Sequence, residues 1–88
     1  MNFKSIKEGN ITRHYTRETN KLHSISIKIG GKIAIYTIDR NEVYFYVPSK
    51  EGNLKEYKLE IKKDIFNSNM EYFAIYNIKY YLKNLITV

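Results

Sequence analysis

His14 and His23 are the only imidazoles in this 88-residue sequence, and therefore the only side chains suited to moving protons near neutral pH. Beside a lysine, one imidazole as base and the other as acid can cleave RNA without a metal. The pair does not complete a metal centre, because the chain has no Cys and neither His has a carboxylate at ligand spacing. Asp39 and Glu42 sit in a turn-like stretch, where an Asp at the first position satisfies local backbone groups. The phosphate-loop, dinucleotide and nucleophile-elbow patterns G-x-x-x-x-G-K-[ST], G-x-G-x-x-G and G-x-S-x-G are all absent. These residues point to a non-enzymatic protein that needs neither metal nor cofactor.

A second kind of chemistry lies in rings and cations. Lys and Arg number 15 against nine Asp and Glu, a net charge of +6, and the surplus is concentrated in the first third of the chain. A clustered basic field raises the local concentration of phosphate. Nine Tyr supply π faces on which unpaired bases can stack, for about 1–3 kcal/mol each. Lys and Tyr are also enriched by AT-rich codons, so position rather than count must carry the argument. Arg is the better bidentate phosphate ligand, and only Arg13, Arg17 and Arg40 are present, which gives each of them weight.

The elements that must position these groups follow from periodicity. Ile25, Ile27 and Ile29 alternate with Ser24, Ser26 and Lys28, the pattern of a strand buried on one side. Gly30-Gly31 can supply a two-residue hairpin turn, which pairs Ile29 with Lys32, Ile27 with Ala34 and Ile25 with Tyr36. A turn at Asp39-Arg40-Asn41-Glu42 then pairs Ile38 with Val43 and Tyr36 with Phe45. Both turns agree on a core face of Ile25, Ile27, Ile29, Ala34, Tyr36, Ile38, Val43, Phe45 and Val47. Downstream, Tyr57, Leu59 and Ile61 join that face from a last strand. Upstream, a strand over residues 11–17 and a turn at Glu18 to Lys21 pair Arg17 with Leu22, Tyr15 with Ser24 and Arg13 with Ser26.

Parity then gathers Arg13, Tyr15, Arg17, Lys28, Tyr44, Tyr46, Lys58 and Lys62 on the opposite face, together with Ser24, Ser26, Ile33 and Ile35, with cations and phenols interleaved, and leaves His14 and His23 on the core side. A one-residue slip anywhere would exchange the faces. Ser68-Asn69-Met70-Glu71 reads as a capping box, and the stretch after it as a helix whose Tyr72, Tyr76 and Tyr80 form a stripe at i, i+4 and i+8. Tyr is enriched at interfaces, so this stripe is the expected partner surface; it, or an uncovered edge strand, could also join two copies as a homodimer.

The expected architecture is a single α+β domain over residues 1–88. It is an antiparallel β-meander of about five strands (about 11–62) with one C-terminal α-helix (about 69–86) packed on one face. The expected role is a small basic module contacting single-stranded nucleic acid, or a nucleic-acid-processing complex, through the Tyr, Arg and Lys face. If six phosphates are neutralised on a single strand, log K should fall with log salt at a slope of about −4. One alternative is a phage- or plasmid-encoded inhibitor, anti-CRISPR-like, acting by protein–protein contact; another is a metal-free ribonuclease toxin using His14 and His23. No membrane partner is expected, since no apolar run approaches a span of about 20 residues. Residues 1–10 do not read as a secretory signal, so the expected location is the cytoplasm.

Overall fold

The computed structural model describes residues 3–87, as two compact units that part between Lys58 and Leu59. The architecture is α+β: a meander, a small second sheet and one short C-terminal helix. The meander has six strands in sequence order, β1 (Phe3–Glu8), β2 (Ile11–Thr16), β3 (Leu22–Ile29), β4 (Lys32–Thr37), β5 (Glu42–Pro48) and β6 (Leu54–Leu59). The extra strand relative to expectation is β1, which a Gly9-Asn10 turn folds back onto β2 so that Glu8 pairs with Ile11. Gly9 takes φ 62°, a conformation that glycine adopts without steric cost.

The β3–β4 hairpin has the expected register, with Ile25 opposite Tyr36, Ile27 opposite Ala34 and Ile29 opposite Lys32. Its positive φ falls at Gly30 (62°), the first central position, as in a II′ turn. At β4–β5 the pairing is displaced by two residues: Tyr36 faces Val43 and Ala34 faces Phe45. Asn41, left-handed at φ 51°, closes this turn, and its side chain accepts a 2.7 Å hydrogen bond from the Tyr36 hydroxyl. A shift of two preserves every side chain's face. Ile25, Ile27, Ala34, Tyr36, Val43 and Phe45 are accordingly all buried, as expected, whereas Ile29, Ile38 and Val47 at or next to the strand ends are half-buried and Tyr57, expected to join them, is 49% exposed.

The β2–β3 pairing differs in kind. Arg13 lies opposite Ile25, not Ser26, and Tyr15 opposite Leu22, not Ser24, with a register shift between His14 and Tyr15. The cause is a bulge together with an earlier turn: the Thr16 amide bonds the Lys21 carbonyl at 2.9 Å, with left-handed Asn20 between them. A bulge inserts one unpaired residue, and one residue is enough to exchange faces. Arg13 is therefore carried to the core side, where it is 5% exposed, while His14 passes to the opposite face.

The second unit holds β7 (Lys62–Asp64), β8 (Met70–Ile75), β9 (Ile78–Tyr81) and α1 (Leu82–Ile86). The helix expected over 69–86 is thus a five-residue turn of helix preceded by a hairpin. Two pairs of left-handed residues account for the difference. Ser68 (φ 55°) and Asn69 (φ 56°) form a turn closed by the Met70 amide on the Asn67 carbonyl, so Ser68 lacks the extended backbone of a helix cap. Tyr76 (φ 52°) and Asn77 (φ 65°) form the two-residue turn that pairs Ile75 with Ile78, with positive φ at both central positions as in type I′. Aromatic and β-branched residues between those turns suit a pleated surface. α1 lies against β8 and β9, and Phe73, Ile75, Leu82 and Leu85 are buried, with Phe73 stacked on Tyr80 at 5.5 Å. The expected last strand is also divided, since β6 ends at Leu59 and Lys62 begins β7. No helix among the described residues is long and apolar enough to cross a membrane.

Candidate nucleic-acid interface

The face of the meander opposite Ile25 and Ile27 is polar and aromatic, and the ladder fixes its rows. Lys28, Ile33 and Tyr46 lie side by side on β3, β4 and β5. Ser26, Ile35 and Tyr44 form the next row, which Thr12 and Lys7 extend onto β2 and β1. Neighbouring strands stand about 4.8 Å apart, so this row spans about 19 Å.

Tyr44 and Tyr46 present tilted rings with centroids 6.5 Å apart. Burial raises the Tyr46 phenol above its ordinary pKa, with the Glu56 charge and Tyr44 adding to the effect, so it stays neutral and able to donate. The Tyr44 hydroxyl lies 3.5 Å from a Glu42 carboxylate oxygen that also takes the Lys58 ammonium at 3.0 Å. That hydrogen bond from Lys58 is the largest cause holding Glu42 below the ordinary carboxylate range, and the same contact raises Lys58. Lys58 is on the expected face, but its charge is already matched.

Both histidines are on this face too, contrary to the expectation that they lie on the core side. His14 is bound at both ring nitrogens, Nδ1 to Ser5 Oγ at 2.7 Å and Nε2 to Ser26 Oγ at 2.8 Å, which ties β1 to β3 across β2. His23 Nδ1 meets Ser24 Oγ at 3.2 Å, and its ring lies 4.8 Å from that of Phe3. Burial, and then the neighbouring His23, depress the pKa of His14, so its imidazole is neutral at pH 7 and one ring nitrogen donates while the other accepts. Two shallow cavities meet here and share His14 and Ser26. One, of about 270 Å³, is lined by Lys7, Asn10, Thr12, Lys28 and Ile33 as well; the other, of about 300 Å³, adds Phe3, Ser5, His23, Ser24 and Ile35.

Of the eight residues expected to share one ligand surface, the polar face brings together Lys28, Tyr44, Tyr46 and Lys58. Arg13 is buried on the other side, with Glu8 Oε1 3.7 Å from its guanidinium. Tyr15 pairs with Lys4, whose ammonium stands 6.0 Å from its ring. Arg17 lies in the β2–β3 turn and donates to the Phe3 carbonyl at 3.2 Å. Lys62 belongs to the second sheet, opposite Tyr72. Sequence reasoning missed Lys7 and Thr12 as members of the site but placed Ser26 on its face; the Gly9-Asn10 turn was the signal that would have found β1 and with it Lys7.

The tyrosine stripe does not exist as a stripe, because its helical spacing is absent. Tyr72 shares a face of the second sheet with Tyr81 (5.8 Å) and Lys79 (4.9 Å), Tyr80 lies on the reverse face with Phe73, and Tyr76 is 60% exposed in the turn. Beside Tyr72, the buried Asp64 accepts from the Tyr81 hydroxyl at 2.6 Å, from Lys79 at 3.2 Å and from the Phe66 amide at 3.1 Å. These bonds, Tyr81 first, hold Asp64 below the ordinary carboxylate range. The cluster ties β7 to β9 across β8. Among the described residues no group of three or more His, Cys, Asp or Glu could hold a metal ion.

Compared with protein-family models, with curated proteins and with solved structures, the chain matches none.

Proposed function

We propose that this chain is a non-enzymatic binding module that contacts single-stranded nucleic acid through the polar face of its meander. The supporting observation is the row structure of that face: the Tyr44–Tyr46 ring pair and the Lys7 and Lys28 ammoniums lie on one surface, separated by Ile33 and Ile35. Bases have apolar faces that stack on phenols for about 1–3 kcal/mol each, while phosphates are drawn to ammonium groups. The order of rings, aliphatic strip and cations matches that division of an unpaired strand. A duplex hides its base faces and has no use for the rings. The test is fluorescence anisotropy with labelled single-stranded and duplex RNA and DNA. Single strands should bind more tightly than duplexes, and Tyr44→Ala should weaken that binding. Equal affinity for duplexes, or indifference to Tyr44→Ala, refutes the reading.

A metal-free ribonuclease is a second reading, favoured by the presence of both imidazoles on one face beside Lys7 and Lys28. One imidazole would take the ribose 2′-hydroxyl proton as the oxygen attacks phosphorus, and the other would protonate the departing 5′-oxygen. Against it, both ring nitrogens of His14 are engaged by serine hydroxyls. Failure of the intact protein to cleave RNA removes this alternative.

A further inference from the structure

The cavity between β1 and β3 has a character of its own. Two lysines, Lys7 and Lys28, line it from either side of β2, and neither makes an ion pair among the described residues. No carboxylate lines it. The remaining polar groups of its lining are the Thr12 and Ser26 hydroxyls, the Asn10 amide and the His14 ring. The rim is preformed, because the turn is pinned to β3 by two hydrogen bonds to one residue, from the Lys28 amide to the Asn10 carbonyl (2.9 Å) and from Asn10 Nδ2 to the Lys28 carbonyl (3.1 Å). A backbone rim that is already ordered lowers the ordering cost of binding.

We infer that this cavity is a subsite for a terminal phosphate monoester, so that the module recognises a phosphorylated strand end; the inference rests on the single-strand reading above. Charge matching separates an end from an internal linkage. A phosphate monoester carries about −1.5 to −2 at pH 7, which complements two ammoniums, whereas an internal diester carries a single charge. The cavity, about 270 Å³ and open to solvent, leaves room for a phosphate group and the sugar that bears it. The adjoining cavity begins at the shared His14 and Ser26 and offers the Phe3–His23 ring pair and Ile35, an apolar floor for the base of that same terminal nucleotide.

The experiment uses the full chain and three labelled ten-nucleotide single strands of one sequence, bearing a 5′-phosphate, a 3′-phosphate or hydroxyls at both ends. One phosphorylated strand should bind about tenfold more tightly than the hydroxyl strand, the gain expected of an added charge-assisted contact. Which end it is identifies the polarity. Lys7→Gln and Lys28→Gln, checked for folding by circular dichroism, should each remove most of that difference, and Tyr44→Ala should weaken all three strands alike. Equal affinities for the three strands, with binding intact, overturn the subsite and leave the single-strand reading standing. Inorganic phosphate titrated alone, followed by the His14 ring resonances, separates the reverse case. A shift that Lys28→Gln abolishes supports the subsite even where no strand binds, and absence of any shift at millimolar phosphate counts against it.

Discussion

Replacing Lys28 by alanine should halve the salt dependence of single-strand binding, and the magnitude follows from where the cations stand. Among the described strand residues, Lys7, Lys28 and Lys58 lie on the polar face, and Glu42 already neutralises Lys58 at 3.0 Å, which leaves Lys7 and Lys28. For a single strand the slope of log K against log salt is about −0.7 per phosphate neutralised, so two contacts give about −1.4 at pH 8 and the Lys28→Ala variant about −0.7. Counting cations by alternation alone gives about −4 for six contacts. Arg13→Gln should leave the slope unchanged, because Arg13 is on the buried side of the sheet. Lowering the pH to 5 should steepen the wild-type slope to at most about −2.1, as protonation of His14 adds up to one cation. His14 contributes only below its depressed pKa. The assay is anisotropy of a labelled single strand over a potassium chloride series at both pH values. A wild-type slope near −4 at pH 8, or an Arg13→Gln effect equal to that of Lys28→Ala, would falsify the assignment of side chains to faces.

Other consequences are as direct. Tyr44→Ala should weaken single-strand binding by about 5- to 150-fold, the range for one lost stacking platform, with little change in the salt slope. Tyr81→Phe should make the second unit less acid-resistant. A carboxyl whose folded pKa is depressed contributes stability that is present above the ordinary value of 3.8 and lost as pH falls through the lower folded value. Removing its principal hydrogen-bond donor moves the folded pKa back up, so the acid-unfolding midpoint followed by circular dichroism should rise; an unchanged midpoint contradicts the assigned role of the 2.6 Å contact. Ile27→Ala should cost about 2–5 kcal/mol in denaturant melts, as expected for a fully buried aliphatic side chain. Asn77→Gly should be tolerated while Asn77→Val destabilises, because position 77 has φ 65° and a β-branched residue resists that conformation.

Much of the meander was legible because one face of it is buried. Where Ile25 and Ile27 must be inside, a two-residue turn at Gly30-Gly31 permits one register, and the two-residue displacement at β4–β5 changes partners without changing faces. Lys28, Tyr44, Tyr46 and Lys58 were placed correctly for that reason. Arg13 and His14 were exchanged because a bulge leaves no mark in an alternation of Thr, Arg, His and Tyr, residues that tolerate either side of a half-buried edge.

The C-terminal third shows the same division more sharply. Taken alone, residues 70–81 satisfy helical and strand periodicities together, and the capping-box pattern at Ser68 favours the helix. Tertiary structure decided for the hairpin, because left-handed turns at Ser68-Asn69 and Tyr76-Asn77 let β8 pair with both β7 and β9, bury Phe73 and Ile75, and give Asp64 its three donors. Local pattern thus determined which residues alternate and which must be inside. Long-range pairing determined which strand each one faces, since a hydrogen-bonded ladder and a buried carboxylate are satisfied only by partners distant in the chain.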